Sequence, residues 1–220
     1  MKRRHGGFTW IEVLIVVVII AVLAAMLFPT LMTLIQRPPY HRAACSSNLK
    51  QIGIAFMQYA EEYDEQLPPT QFKNAQPVGT ITSKDYQPYG WTDAAVTYSK
   101  STQLFQCPVE PQTDAGSDPT KSGYTDYWFN SNLSNSKLQR IANPSRTLML
   151  GDGNDGTELT NARYSLNALP QAWRESTESP AQRHRGTANY TFADGHVKAL
   201  KPQAISNLPT RQSKSTFSVR

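Results

Sequence analysis

"HGGFTWIEVLIVVVII", residues 5–20, places a single carboxylate, Glu12, at the threshold of the most apolar run in the chain. The fold turns on this stretch. A charge held mid-bilayer costs ~2.5–3.5 kcal/mol on insertion scales, so an acid kept there implies a function and a partner. From Val13 to Phe28, sixteen consecutive residues lack a polar side chain, and Leu31, Met32, Leu34 and Ile35 carry the apolar character past Pro29 and Thr30. The 23 residues from Val13 to Ile35 are enough, because as a helix they would run ~35 Å and a hydrocarbon layer is ~30 Å thick. Lys2, Arg3 and Arg4 precede the run and only Arg37 and Arg42 follow it closely. That asymmetry favours a cytoplasmic N-terminus, with everything from about residue 36 outside.

Composition agrees with a folded extracytoplasmic part. Of 220 residues, 39% are hydrophobic and 10% aromatic, which suits a core rather than disorder. The net charge of +5 is local in origin: without residues 1–7 the balance is 19 basic against 17 acidic. Lys198, Lys201, Arg211, Lys214 and Arg220 form a second basic stretch, with Pro202 and Pro209 among them. It reads as a solvated tail over residues 201–220, and with no aromatic-interleaved basic groove nucleic acid is not an expected partner. Outside the cytoplasm, Cys45 and Cys107 are expected to pair, closing a loop of about 60 residues for roughly 4 kcal/mol in the chain-entropy model. Two separately buried thiols are the alternative.

Three readings compete for the N-terminus. A secretory signal could end near Val22-Leu23-Ala24, but the apolar character continues beyond it and a signal core gains nothing from Glu12. A plain anchor leaves Glu12 to snorkel to the headgroups. The third places a cut between Gly7 and Phe8, where a small residue meets a bulky one. The new α-ammonium of Phe8 would then lie four residues before Glu12.

Arg3-Arg4-His5-Gly6-Gly7-Phe8-Thr9-Trp10-Ile11-Glu12 resembles the processing site of type IV prepilins and type II secretion pseudopilins. The resemblance implies cleavage after Gly7 by a prepilin peptidase, N-methylation of Phe8, and a requirement for Glu12 in assembly. Trp10 departs from the usual Leu or Met, and Pro29 matches a proline often found at that depth. Between staggered subunits the Glu12 carboxylate would face a neighbour's ammonium, and such a pairing makes a register error costly.

Past Pro38-Pro39, which argue for a hinge over 36–42, Cys45, Leu49, Ile52, Phe56, Tyr59 and Tyr63 recur at spacings of 4, 3, 4, 3 and 4. That is one face of an amphipathic helix over 43–66, stopped by Pro68-Pro69. Residues 67–146, rich in Gly, Pro, Ser, Thr, Asn and Tyr, predict turns and short strands rather than long helices. Thr147–Leu150 reads as a strand, and "NYTFADGHVKAL" as a hairpin. A two-residue turn at Asp194-Gly195 would set Phe192 opposite Val197 and Tyr190 opposite Ala199.

His184 and Asp194-Gly195 form H-x9-DG. With "CSSNLKQIGIAF", "LFQCP" and "NPSRTLMLGDGN", this pattern resembles the prepilin-type processing-associated H-x9-DG proteins. Asp152, Asn154, Asp155 and Glu158 offer oxygen ligands of the kind calcium takes, without EF-hand spacing, so a structural calcium competes with a solvated turn. Otherwise no cofactor is expected. His184, His196, Asp152 and Asp194 could meet as a metal or acid–base site, but Asp194 and His196 are explained by turn chemistry, and His184 reads as a tie between its loop and the hairpin. With no nucleophile elbow, phosphate loop or C-x-x-C pair, no enzyme is expected.

The expectation is an α+β pilin-like fold: leader 1–7, membrane and assembly helix 8–35, hinge 36–42, amphipathic helix 43–66, a head over 67–200 with an antiparallel sheet, and a tail. The implied function is a subunit of a type IV pilus-like or pseudopilus filament. It would be stored in the inner membrane among lipids, then assembled with copies of itself or other pilins on an assembly platform at the cell surface. The alternative is a membrane-anchored extracytoplasmic module that binds a ligand or glycan and never polymerises.

Overall fold

Backbone amides in an apolar medium must bond within their own segment, and the N-terminal run does so as one 26-residue helix, α1 (Trp10–Ile35). The structure is a computed structural model describing residues 10–35, 38–73, 88–110, 118–154, 160–207 and 215–219, in two units, Met1–Tyr40 and His41–Arg220. Within the first unit, every side chain of α1 from Trp10 to Phe28 is exposed. Pro29 lies inside α1, where a proline lacks the N–H of the i→i−4 bond.

The second helix, α2 (Pro38–Glu62), begins earlier than the amphipathic pattern suggested. Pro38 and Pro39 are its first two residues, where a proline's missing N–H has no intrahelical acceptor to serve, so the pair opens this helix. Of the expected hinge, Gln36 and Arg37 lie outside the described residues. Cys45, Leu49, Ile52, Phe56 and Tyr59 are buried as their spacing predicted. Tyr63 is not: it falls past the helix end, half exposed, and stacks on Tyr59 at 4.2 Å. Termination comes before Pro68-Pro69, with Asp64 and Glu65 at φ 52° and 59° and the Glu65 amide donating to the Ala60 carbonyl.

The buried face of α2 lies on a five-stranded sheet, in the order β3-β1-β2-β4-β5. Its strands are β1 (Tyr127–Asn130), β2 (Leu148–Asp152), β3 (Ser165–Leu166), β4 (Ala188–Phe192) and β5 (Val197–Leu200). All neighbours are antiparallel except β1 and β3, so the sheet is mixed at one edge. β2 starts and ends later than the Thr147–Leu150 reading, reaching Asp152. β1, β2 and β4 are buried at every position because both faces are covered. On one side Phe56 meets Phe129 and Trp91 edge-on at 5.1 and 5.8 Å. On the other, Trp128, Leu148, Tyr190 and Phe192 pack with Trp173, Ile205 and Phe217.

Two elements depart from the sequence reading. Trp91–Ser99 forms a nine-residue helix, α3, inside the stretch read as turns and short strands. The buried Asp93 carboxylate accepts from the amides of Tyr89 and Gly90 at its start, and the Trp91 indole N–H donates to the Tyr164 carbonyl at 2.7 Å. The expected solvated tail is partly core. Ile205–Ser206 and Ser215–Thr216 pair as short parallel strands, and Phe217 is fully buried, stacked on Trp128 at 5.0 Å.

The β4–β5 hairpin exists, but its register is one residue from the expected one. Thr191 pairs with Val197 and Tyr190 with Lys198, and the Phe192 amide donates to the His196 carbonyl. The loop is therefore Ala193-Asp194-Gly195, closed by the Gly195 amide on the Phe192 carbonyl with Gly195 at φ 82°. A three-residue loop whose last residue is left-handed replaces the two-residue turn, since that geometry puts the glycine at its third position.

Candidate functional site

The head's chemistry-bearing side chains collect beneath the first turns of α2. Cys45 of α2 and Cys107, in the segment before β1, form a disulfide with a Cα–Cα distance of 5.2 Å, both side chains fully buried. The Cys107 amide donates to Asp126 Oδ2 at 2.7 Å. Asp126 also accepts at Oδ1 from the Asn154 side chain at 3.1 Å, while burial pushes its pKa up against these bonds and the nearby Arg183. The Arg183 side chain is itself buried and pairs with Glu110 at 3.2 Å.

Asp152 ends β2 and is completely buried. Its Oδ2 accepts from the Asn189 amide at 2.7 Å and from the Asn189 side chain at 2.9 Å, and His184 Nε2 lies 3.1 Å away. The same His184 Nε2 lies 3.8 Å from Cys107 Sγ. His184 is fixed by its own loop, with its amide donating to the Thr187 carbonyl and the Thr187 hydroxyl donating back to the His184 carbonyl. Burial, aided by the Asp152 charge, holds the Tyr127 and Tyr190 phenols well above their usual range. Lys50 Nζ donates to the Gly195 carbonyl at 2.6 Å, and the Thr191 hydroxyl donates to the Leu49 carbonyl at 3.2 Å. These two bonds dock the hairpin on α2.

The H-x9-DG residues thus serve two places. His184 enters the cluster beside the disulfide. Asp194 and Gly195 shape the hairpin loop, where Asp194 Oδ1 lies 2.6 Å from His196 Nδ1 and the His196 ring stacks on Phe192 at 4.2 Å. Of the four residues considered as one metal or acid–base site, Asp152 meets His184 and, separately, Asp194 meets His196. Of the four oxygen ligands considered for calcium, Asp152 is engaged by Asn189 and His184 and Asn154 by Asp126, whereas Asp155 and Glu158 lie outside the described residues. Sequence reasoning passed over Asp126, Arg183 and Asn189. A signal existed in "YTDYWFN", where a lone acid interrupts an aromatic run.

At the other end of the chain, Glu12 sits in the first turn of α1. The cleavage residues Gly7 and Phe8 lie outside the described residues. Trp10–Phe28 is long and apolar enough to cross a membrane.

Residues 2–28 match the family model of the prokaryotic N-terminal methylation motif, and residues 41–98 match the model described as a protein of unknown function (DUF1559). No curated protein and no solved structure matches the chain. The motif implies processing by prepilin peptidase, and with the apolar helix behind it the precursor is membrane-anchored. Motif, helix and the DUF1559 segment bear out the resemblance read from residues 3–12 and from H-x9-DG, and together they are consistent with a type IV pilin- or pseudopilin-like protein.

Proposed function

We propose that the chain is a structural subunit of a type IV pilus-like or pseudopilus filament, cut after Gly7 and polymerised through α1. The observation that carries this is a methylation motif over residues 2–28 running directly into a 26-residue apolar helix whose first turn holds an acid. Before assembly, such a helix is at home in lipid, where its exposed apolar side chains cost nothing. After extraction, the same side chains need sister helices around them, since a surface of that size left in water drives association.

Glu12 sets the register of that association. Cleavage gives Phe8 an α-ammonium, and in a helical stack the carboxylate of one copy faces the ammonium of the next. In an apolar interior, breaking one partner of such a pair leaves a buried charge and costs about 3–5 kcal/mol. Each subunit then has one low-energy position along the filament. The head, in this reading, carries no turnover and supplies the outer surface, and the partners are further copies or other pilins together with the peptidase and an assembly platform.

The test is electron microscopy of fibres sheared from cells, with mass spectrometry of the mature chain. Fibres containing the chain, a mature N-terminus at methylated Phe8, and loss of fibres in Glu12→Ala with membrane-inserted protein retained are the expected results. Wild-type levels of fibres from Glu12→Ala, or a working chain that keeps residues 1–7, overturn the proposal. The latter result would favour a membrane-anchored binding module.

A further inference from the structure

We propose that Cys45, Cys107, His184 and Asp152 become the four ligands of a zinc-class divalent cation when the disulfide is reduced. One ligand atom from each lies within 4.8 Å of all the others, and all four side chains are buried. His184 Nε2 stands 3.8 Å from Cys107 Sγ and 3.1 Å from Asp152 Oδ2. Zinc bonds of ~2.0–2.3 Å in a tetrahedron set neighbouring ligand atoms ~3.3–3.8 Å apart, so the histidine and aspartate already stand near ligand spacing. Side-chain rotation of the freed thiols supplies the remaining adjustment.

A second observation points the same way. Asp152 is completely buried, yet its Oδ1 makes no hydrogen bond among the described residues, leaving coordinating capacity on the carboxylate that already contacts His184. The outer supports of a metal site are also present: two donors from Asn189 hold the Asp152 carboxylate, and the Thr187 bonds hold the His184 loop. Two thiolates, an imidazole and one carboxylate select zinc over calcium or magnesium, which prefer all-oxygen ligands.

The two states exclude each other because they use the same sulfurs. A dithiol reductant gives two electrons and two protons to the Cys45–Cys107 bond and becomes a disulfide itself. The cation then displaces the two thiol protons, which leave to solvent, and His184 binds through its neutral Nε2 lone pair. A disulfide oxidant reverses the sequence: it takes two electrons from the two thiolates, is itself reduced to a dithiol with two protons from solvent, and the metal is expelled. The head is thus stapled at one place in either redox state, by a covalent bond when oxidised and by a metal before oxidation.

The experiment uses the full chain in detergent, reduced with a phosphine that is then removed, and titrated with Co(II) as a spectroscopic stand-in and with Zn(II) in competition. The expected result is one Co(II) per chain, with tetrahedral d–d bands and a thiolate charge-transfer band, displaced by zinc and absent from the oxidised protein. His184→Ala and Asp152→Asn should each weaken binding by roughly 10- to 100-fold or more, while His196→Ala leaves it unchanged. Asp152→Asn keeps the acceptor for Asn189, and circular dichroism on each sample reports folding. Equal uptake by oxidised protein overturns the proposal. So does failure of the reduced wild type to take up one equivalent, folded or not, or wild-type affinity in both His184→Ala and Asp152→Asn.

Discussion

Asp126 and Asp152 are both buried carboxylates, but they are placed to do different things. For Asp126, burial raises the pKa above 3.8 despite donors from Cys107 and Asn154 and the nearby Arg183. The folded state therefore holds this proton more tightly than the unfolded chain. Its contribution to stability is fully present below pH 3.8 and is lost as pH rises through the folded value. Urea midpoints of the wild type should fall across that window relative to Asp126→Asn, which has no proton to lose; parallel profiles would refute this. Asp152 instead anchors Asn189 and His184 by three contacts. Asp152→Ala should cost about 3 kcal/mol in denaturant unfolding, because two buried Asn189 donors lose their acceptor, and Asp152→Asn should cost less.

At the scale of elements, the full burial of the three central strands, β1, β2 and β4, is what admits Trp128 and Tyr190 side by side on the face away from α2. Gly151 on β2 lies beneath both rings, and a Cβ there would stand 2.3 Å from the Trp128 ring and 2.7 Å from Tyr190. Gly151→Ala is expected to destabilise the head by about 1–3 kcal/mol as an overpacking substitution, read as a lowered thermal midpoint with near-UV dichroism changed in the tryptophan region. The elements also divide by how much of them the sequence disclosed. The stripe on α2 was legible because helical spacing is a local property, and five of its six residues are buried as spaced. α3 was not, because its nine residues are short and its defining features, the buried Trp91 and the Tyr164 carbonyl it binds, come from 73 positions apart. The hairpin was legible as a hairpin, but its register depended on whether Ala193 joined the loop.

Across the whole head, the Cys45–Cys107 bond links α2 to the segment leading into β1 over 62 positions. In the chain-entropy model a loop of that length contributes about 4 kcal/mol. The double variant Cys45→Ser, Cys107→Ser should lose about that much stability by denaturant titration, while the helical signal of α1 in detergent persists, since α1 belongs to a unit of its own outside the disulfide-bonded head. An unchanged midpoint would mean that the unfolded chain is already held compact there. The C-terminal segment belongs to this scale too. Its charge pattern marked a tail, but Phe217 fills a gap beside Trp128, and the Asn130 side chain donates to its carbonyl at 3.0 Å. Apolar burial outweighs the entropy of leaving that end free.

The amino-acid sequence by itself determined the character of the N-terminal segment. A basic leader, a Gly7-Phe8 junction, Glu12 and an uninterrupted apolar run are contiguous, and membrane insertion reads hydropathy and charge along a line. Only the tertiary structure decided where His184 stands. The ring, the carboxylate of Asp152 and the two sulfurs come from four separate stretches of chain, and a burial site shared by them exists only once α2 has settled on the sheet. Proximity at long sequence separation is a product of packing, and no local pattern encodes it.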